Sequence, residues 1–371
     1  MNRETELEIF LVCAPGFEQL VRAEAIEKGF KKPKCDHGGV TILGGWSVAW
    51  RANLEMRGVS KVLVRLASFK VTHLSQLDKR AREMGWNTLL RRDVPVRVEA
   101  SCKKSKIYHQ KAAAERIALA ITDDVGCKIS DEAEVTIKAR IFENRCTLSI
   151  DTSGEGLHKR GSKEALNKAP MRETLAALIL RDCGYDGKEP VLDPMCGSGT
   201  FVLEAAEIAS KKKAGRNRSF AFEKFINFDE DLWSRMKAKD VSITPDVQFY
   251  GFDRDKGAIE RSGANAKRAG VEGCCTFTNQ TLSNLKAPEG EKGLVVVNPP
   301  YGIRIGDMKK LATLYQSLGH VLKAEFSGWH VGLVTNSDRL ANRTGLPFTN
   351  DVTHFSHGGI KVQLYKTDVL P

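Results

Sequence analysis

An α/β fold is predicted, with a mostly parallel sheet in the second half of the chain and a separate α/β region in the first. Three observations carry this expectation. From about residue 165 onward, short β-branched runs alternate with helical patterns, as they do where crossover helices join parallel strands. Ahead of that alternation, Asp151–Lys163 is polar, glycine-rich and basic, the composition of a linker. The 371 residues and 41.0 kDa suffice for two or three domains with real cores.

In the first half, Ile9–Cys13 reads as a strand, and Ala14-Pro15-Gly16 turns it into a helix running to about Lys28 with Phe17, Leu20, Val21, Glu24 and Ala25 at near-helical spacing. Glycine pairs at Gly38-Gly39 and Gly44-Gly45 bracket a strand at Val40–Leu43, and Val62–Leu66 is another. Leu74–Met84 reads as a helix. Val94–Ala100 alternates as a half-buried strand, and Pro95 argues for a sheet edge because it lacks a donor. Lys111–Thr122 is a helix carrying apolar Ile117, Leu119 and Ile121, and Glu134–Ile141 and Arg145–Ile150 pair across a turn at Glu143-Asn144.

After the linker come a helix at Met171–Asp182 started by Pro170, a strand at Pro190–Asp193 and a helix at Thr200–Ser210. Then follow a strand at Gln248–Phe252, a helix at Lys256–Ala269 ended by Gly270, and a strand at Gly293–Val297. A helix at about Lys309–Glu325 and strands at Trp329–Thr335 and Gly359–Tyr365 close the chain. The boundaries expected are 1–58, 59–152, a linker at 153–164, and 165–371.

Composition narrows the function. Hydrophobic content of 42% and charged content of 28% are ordinary for a soluble protein, and no apolar run approaches the roughly 20 residues that span a bilayer. The acidic start, Met1–Glu8, is unlike an export signal, so a cytoplasmic protein is expected. Nine cysteines, an odd number without a Cys-x-x-Cys, read as reduced thiols, and no metal is expected. The net charge is +11, with 28 Lys and Arg against 21 Asp and Glu in residues 1–160, which favours a polyanionic partner. Lys103, Lys104, Lys106, Tyr108, His109 and Lys111 form a basic cluster with an aromatic, suited to RNA phosphates and one base. A solvated helix start is the plainer alternative there.

Asn298-Pro299-Pro300-Tyr301 follows the apolar run Gly293–Val297 and so falls at a strand's carboxyl end, where open α/β sheets place their ligand crevice. Two prolines remove two donors and hold the corner extended. Asn298 keeps a carboxamide oxygen and Tyr301 a flat ring, which suits a planar base bearing an exocyclic amine. A proline-rich loop that merely ends a strand is the competing possibility. The company the motif keeps weighs against it. Asp193-Pro-Met-Cys-Gly-Ser-Gly-Thr200 joins a strand to a helix, with Gly197 and Gly199 admitting close backbone approach. A P-loop fails for want of a lysine, since Thr200 and Phe201 follow; a dinucleotide fingerprint fails because Val202 stands where a third glycine is needed. A small nucleoside with an ammonium-carboxylate tail remains, with Asp193 for its cationic end. Asp253, after the next strand, can accept both hydroxyls of a ribose, while Asp255 is placed to cap the following helix.

Loop, acid and tetrapeptide together resemble class I methyltransferases that use S-adenosylmethionine (SAM), and Asn298-Pro-Pro-Tyr-Gly302 looks like the branch that methylates exocyclic base amines. Leu157-His-Lys-Arg-Gly161 and Lys168-Ala-Pro-Met-Arg-Glu-Thr-Leu-Ala-Ala177 resemble the members carrying a THUMP RNA-binding domain. Ala14-Pro-Gly-Phe-Glu18, Arg51-Ala-Asn-Leu-Glu-Met-Arg57 and Ser105-Lys-Ile-Tyr-His109 extend that similarity through the first half. The resemblance implies a Rossmann-like methyltransferase domain with a mostly parallel seven-stranded sheet, preceded by a ferredoxin-like segment and a THUMP domain. It implies SAM as cofactor, bordered by Glu173, Thr174, Asp193, Met195, Cys196, Gly197, Gly199, Thr200, Asp253, Arg254 and Asn298. Where the family commonly has an aspartate after the third strand for the adenine, this chain has Thr276–Asn284 without a carboxylate, leaving Gln280 or Thr281.

The activity so implied is methylation of a guanine N2 amine in RNA, with 23S ribosomal RNA ahead of transfer RNA. Asn298 and the Pro299 carbonyl would hold the amine, Pro300 would stiffen the corner, and Tyr301 would stack on the base. DNA adenine-N6 methylation and a non-catalytic RNA-binding factor are the other candidates.

Overall fold

The computed structural model describes residues 6–161, 171–239, 241–301 and 308–371. Their contacts divide into two compact units. One is drawn from residues 1–13, 22–157 and 218–239, and the other from 14–21, 158–217 and 240–371.

In the first unit, β1 (Leu7–Val12), β2 (Lys34–Asp36), β3 (Gly39–Gly44), β4 (Lys61–Lys70), β5 (Val96–Lys103), β6 (Val135–Phe142) and β7 (Arg145–Asp151) form one sheet in the order β2-β3-β1-β4-β7-β6-β5. Every neighbouring pair is antiparallel except β5 with β6. Pro95 directly precedes β5, which is an edge strand, as a residue without a donor requires. Glu143 and Asn144 take φ of 49° and 60°, the left-handed pair that closes a two-residue hairpin with the twist of its strands. The part of α1 (Glu18–Glu27) from Arg22 onward and the helices α2 (Trp46–Glu55), α3 (Leu74–Arg82) and α4 (Gln110–Val125) are interspersed. On α4 the buried face is Ala113, Ile117, Ala120 and Ile121, which leaves Leu119 half exposed off that stripe. Glu24, which the spacing put among apolar residues, is buried because its carboxylate accepts the Arg57 and Gly58 amides at 2.6 and 3.0 Å.

The stretch that reads as a linker starts inside the fold. Asp151 belongs to β7 and pairs with Lys61 at 2.7 Å, while Thr152 and Ser153 are fully buried. Ser153 Oγ accepts the Val62 amide and donates to Asn53 Oδ1, so short polar side chains replace ladder bonds at the strand end. Lys163 and Pro170 lie outside the described residues.

The helices α5 (Glu173–Asp182), α6 (Thr200–Ala209), α8 (Lys256–Ala269), α9 (Met308–Glu325) and α10 (Asp338–Thr344) belong to the second unit, while α7 (Glu230–Ala238) belongs to the first. Before α7, Phe220, Phe222, Phe225 and Phe228 bring an aromatic strap. Phe222 stacks on Trp50 at 5.5 Å between centroids and meets Trp233 edge-on at 4.9 Å.

The second sheet runs β10-β9-β8-β11-β12-β14-β13, from β8 (Val191–Asp193), β9 (Phe249–Asp253), β10 (Cys275–Asn279), β11 (Leu294–Val297), β12 (His330–Thr335), β13 (Thr353–His357) and β14 (Ile360–Lys366). The strands β8 to β12 are mutually parallel; only β14 opposes them. β11 is buried on both faces, which explains its continuous Leu-Val-Val-Val run. Its neighbours in the core include Tyr315, Leu318, Leu322 and Trp329. No helix among the described residues is long and apolar enough to cross a membrane.

Candidate active site

β8 ends at Asp193, and the loop after it enters α6 at Thr200. Asp193 is 2% exposed, and its Oδ1 accepts the Met195 amide at 2.9 Å. Burial pushes this carboxyl up to about 8; the neighbouring Asp253 charge adds to the rise, and the Met195 N–H opposes it. Gly197 and Gly199 adopt φ of 57° and 81°, which side-chain-bearing residues rarely take. The loop is braced from below. Cys196 N donates to Phe252 O at 2.9 Å, Ser262 Oγ to Gly197 O at 3.0 Å, and Asn265 Nδ2 to Ser198 O at 3.2 Å. Ser262 and Asn265 were not foreseen from the sequence. The available signal was a polar pair one turn apart on the face of α8 that otherwise buries Ala258, Ala266 and Ala269.

At the end of β9, Asp253 accepts the Gly197 amide on Oδ2 at 3.0 Å and the Asp255 amide on Oδ1 at 2.9 Å. A carboxylate has about four acceptor positions, so two remain for a ligand. Asp255 caps α8 by accepting the Gly257 amide, the place its sequence position indicated, and Arg254 is exposed. β10 ends at Asn279. Asn279 Nδ2 and Gln280 N both donate to Asp253 O, at 2.9 and 3.1 Å, and Thr281 is exposed beside Ser283.

At the end of β11, Asn298 is half-buried, and its Oδ1 is fully buried with no hydrogen-bond partner among the described residues. Pro299 is buried and Pro300 exposed. Tyr301 is half-buried, its Oη lies 3.0 Å from His357 Nδ1, and burial pushes its phenol up to about 12. Gly302 lies outside the described residues. Asp193, Asp253, Gln280 and Asn298 therefore stand at one edge of four adjacent parallel strands, β10-β9-β8-β11.

Glu173 begins α5 and, with Arg160, Thr200 and Glu204, lines a cavity of about 20 Å³, room for one water. Thr174 is buried in α5, which packs on α6. Arg160 and Glu204, exposed by only 4% and 2%, form a buried ion pair at 3.0 Å.

In the first unit, Lys103, Lys104, Lys106, Tyr108, His109 and Lys111 are all exposed, and they follow one another from the end of β5 into α4. Tyr108 is 73% exposed, with its ring 4.5 Å from that of His109. Asn144 braces the loop: its Oδ1 accepts the Lys106 amide at 2.8 Å, and its own amide donates to Ser105 Oγ at 3.0 Å. Among the described residues no group of three His, Cys, Asp or Glu is arranged to hold a metal ion.

A mostly parallel sheet with a glycine loop, two carboxylates and an Asn-Pro-Pro-Tyr corner at one edge defines a methyltransferase that uses SAM. Comparison with known proteins agrees: the model of the RMKL-like methyltransferase domain (UPF0020) matches residues 160–365, and that of the RlmL ferredoxin-like domain matches residues 8–63. The chain belongs to this methyltransferase family. A Synechocystis protein named as a candidate RNA methyltransferase is 30% identical over 372 residues, covering 97% of this chain and 96% of that one. The ribosomal RNA large subunit methyltransferase K/L of Psychromonas ingrahamii is 32% identical over 355 residues, covering 92% of this chain and 47% of its own, so the chain spans about half the length of that relative. A crystal structure of a candidate methyltransferase complexed with S-adenosylhomocysteine is 26% identical, with a TM-score of 0.88 and full coverage of both chains.

Proposed function

We propose that the chain transfers a methyl group from SAM to the exocyclic N2 amine of a guanine in RNA, with large-subunit (23S) ribosomal RNA as substrate, in the cytoplasm. The observation that carries this reading is Asn298 Oδ1 at the carboxyl edge of β11, buried and with no hydrogen-bond partner among the described residues. The large-subunit methyltransferase among its relatives supports ribosomal RNA as the substrate.

The residues fit SAM. Asp193, held protonated by burial up to about 8, is a ready counterion for an ammonium group, whose charge favours the ionised carboxylate. The loop of Met195, Cys196, Gly197, Gly199 and Thr200 brings its backbone to the amino-acid tail, and the free acceptor positions of Asp253 suit ribose hydroxyls. Gln280 or Thr281 meets the adenine, while Glu173, Thr174 and Arg254 border the site. When bound, SAM supplies an electrophilic methyl group on a sulfonium centre.

The guanine amine is a poor nucleophile because its lone pair is conjugated with the ring. Asn298 Oδ1 and the Pro299 carbonyl accept its two N–H bonds and favour a pyramidal nitrogen whose lone pair is free. Their dipoles also face the positive charge that develops on that nitrogen. No strong general base is needed, since the methylated nitrogen loses its proton readily. Pro299 and Pro300 hold the acceptors in place, and Tyr301 stacks on a base turned out of its neighbours' stack. In residues 59–152, read as a THUMP RNA-binding domain, the loop from Lys103 to Lys111 contacts RNA phosphates.

Incubation with labelled SAM and either undermethylated total RNA or unmethylated DNA, followed by nucleoside mass spectrometry, tests the substrate. N2-methylguanosine in 23S RNA is expected. Label confined to transfer RNA or to DNA adenine would overturn the assignment, and failure to bind S-adenosylhomocysteine in calorimetry would favour a non-catalytic RNA-binding factor.

A further inference from the structure

Tyr301 has a partner that the chemistry of the amine does not explain. β11 and β13 are three strand spacings apart in the order β11-β12-β14-β13, roughly 14 Å at the usual inter-strand distance. The two prolines keep Asn298–Tyr301 extended, and four extended residues reach roughly 13 Å. The motif thus has the length to carry a phenol from the end of β11 to the far side of the sheet. There His357 is the last residue of β13, paired with Ile360 across Gly358-Gly359. Those glycines take φ of 59° and 82°, so the hairpin closes in two residues and His357 sits at its tip. β13 opposes β14, which opposes β12, so the tip lies on the same edge as Asn298. Tyr301 Oη and His357 Nδ1 are 3.0 Å apart.

A tyrosine anchored only at its backbone keeps two rotatable torsions, and a hydrogen bond at the far end of the ring fixes both. Stacking demands a ring plane parallel to the base, and a ring already held in that plane loses no freedom when the base arrives. We propose that His357 is a positioning residue: its hydrogen bond to the Tyr301 phenol sets the plane on which the target base stacks. This rests on the base-stacking role given to Tyr301. The phenol, held well above neutrality by burial, stays neutral throughout the working range, and either it or the imidazole Nδ1–H can donate that bond.

The test uses the full chain, tritiated SAM and ribosomal RNA from a strain lacking the protein, with binding of S-adenosylhomocysteine as a parallel readout. His357→Ala and Tyr301→Phe should each lower kcat about five- to tenfold, the effect of one hydrogen bond, with unchanged S-adenosylhomocysteine affinity. The double variant should be no worse than either single one, because both remove the same bond. His357→Asn, whose carboxamide places a polar atom near the Nδ1 position, should recover most of the loss. Wild-type turnover in His357→Ala, or a double variant whose loss is the product of the single losses, overturns the proposal. So does a fall in S-adenosylhomocysteine affinity that matches the fall in turnover, which would signal general distortion. Tyr301→Ala separates the two layers: full turnover there removes the stacking role itself, whereas loss there with His357→Ala unaffected removes only the positioning role.

Discussion

Two seven-stranded sheets occur among the described residues, and strand direction sets them apart. In the first unit neighbouring strands mostly oppose one another, so successive strand ends alternate between the two edges. In the second, β8 to β12 all run the same way, and their carboxyl ends collect Asp193, Asp253, Gln280 and Asn298 on one side. The two units also offer ion pairs at opposite extremes of burial. The second unit buries Arg160 against Glu204, exposed by 4% and 2%, whereas the first carries Lys138 and Glu99 on its surface at 30% and 44%.

Four substitutions sharpen or break this contrast. Arg160→Ala removes the guanidinium from a buried carboxylate and should cost about 3–5 kcal/mol of unfolding free energy, measured by urea denaturation. A cost near zero would mean that the second unit solvates this pair as freely as the first does its own. Asn298→Ala should lower methyl transfer at saturating SAM about 100-fold or more, with S-adenosylhomocysteine affinity retained in calorimetry. Transfer near wild type would detach the buried oxygen from catalysis.

Asp193→Asn should weaken SAM binding about 10- to 100-fold, the range of a hydrogen bond to a charged group. This carboxyl also carries a pH signature. Its value in the folded protein is raised from 3.8 to about 8, so the folded state holds a proton that the unfolded chain releases. The stability of the free protein from this group therefore falls as pH rises from about 4 to about 8. SAM's ammonium favours the ionised form, so binding at about pH 6.5 should release up to one proton, and affinity should rise with pH up to the free carboxyl's value. Calorimetry in two buffers of different ionisation enthalpy measures that proton; its persistence in Asp193→Asn would assign it elsewhere. Lys138→Ala, at the exposed pair of the first unit, should change stability by less than about 1 kcal/mol in the same urea experiment.

The features legible in the sequence were those set by local chemistry. The Asn-Pro-Pro-Tyr corner, the loop through Gly197 and Gly199, the Asp255 cap and the Pro95 edge each follow from backbone constraints that neighbouring residues impose. Features that depend on distant partners were hidden. α2 carries Trp46 and Trp50, poor guides to a helix, and forms because the strands around it require cover. Ser262 and Asn265 show their role only once α8 lies under the glycine loop, and His357 only once a hairpin at the opposite end of the sheet meets the extended motif.

The aromatic strap from Phe220 to Trp233 has a consequence for the nascent chain. Trp50, exposed by only 2%, is covered by residues that leave the ribosome long after β7 is complete. Until then the Trp50 face of the first unit lacks its cover, and an exposed apolar patch of that kind favours aggregation. A fragment cut after residue 157 would be frozen in that condition, so the useful excision is a two-piece complementation in which the peptide from Arg218 to Lys239 is supplied in trans.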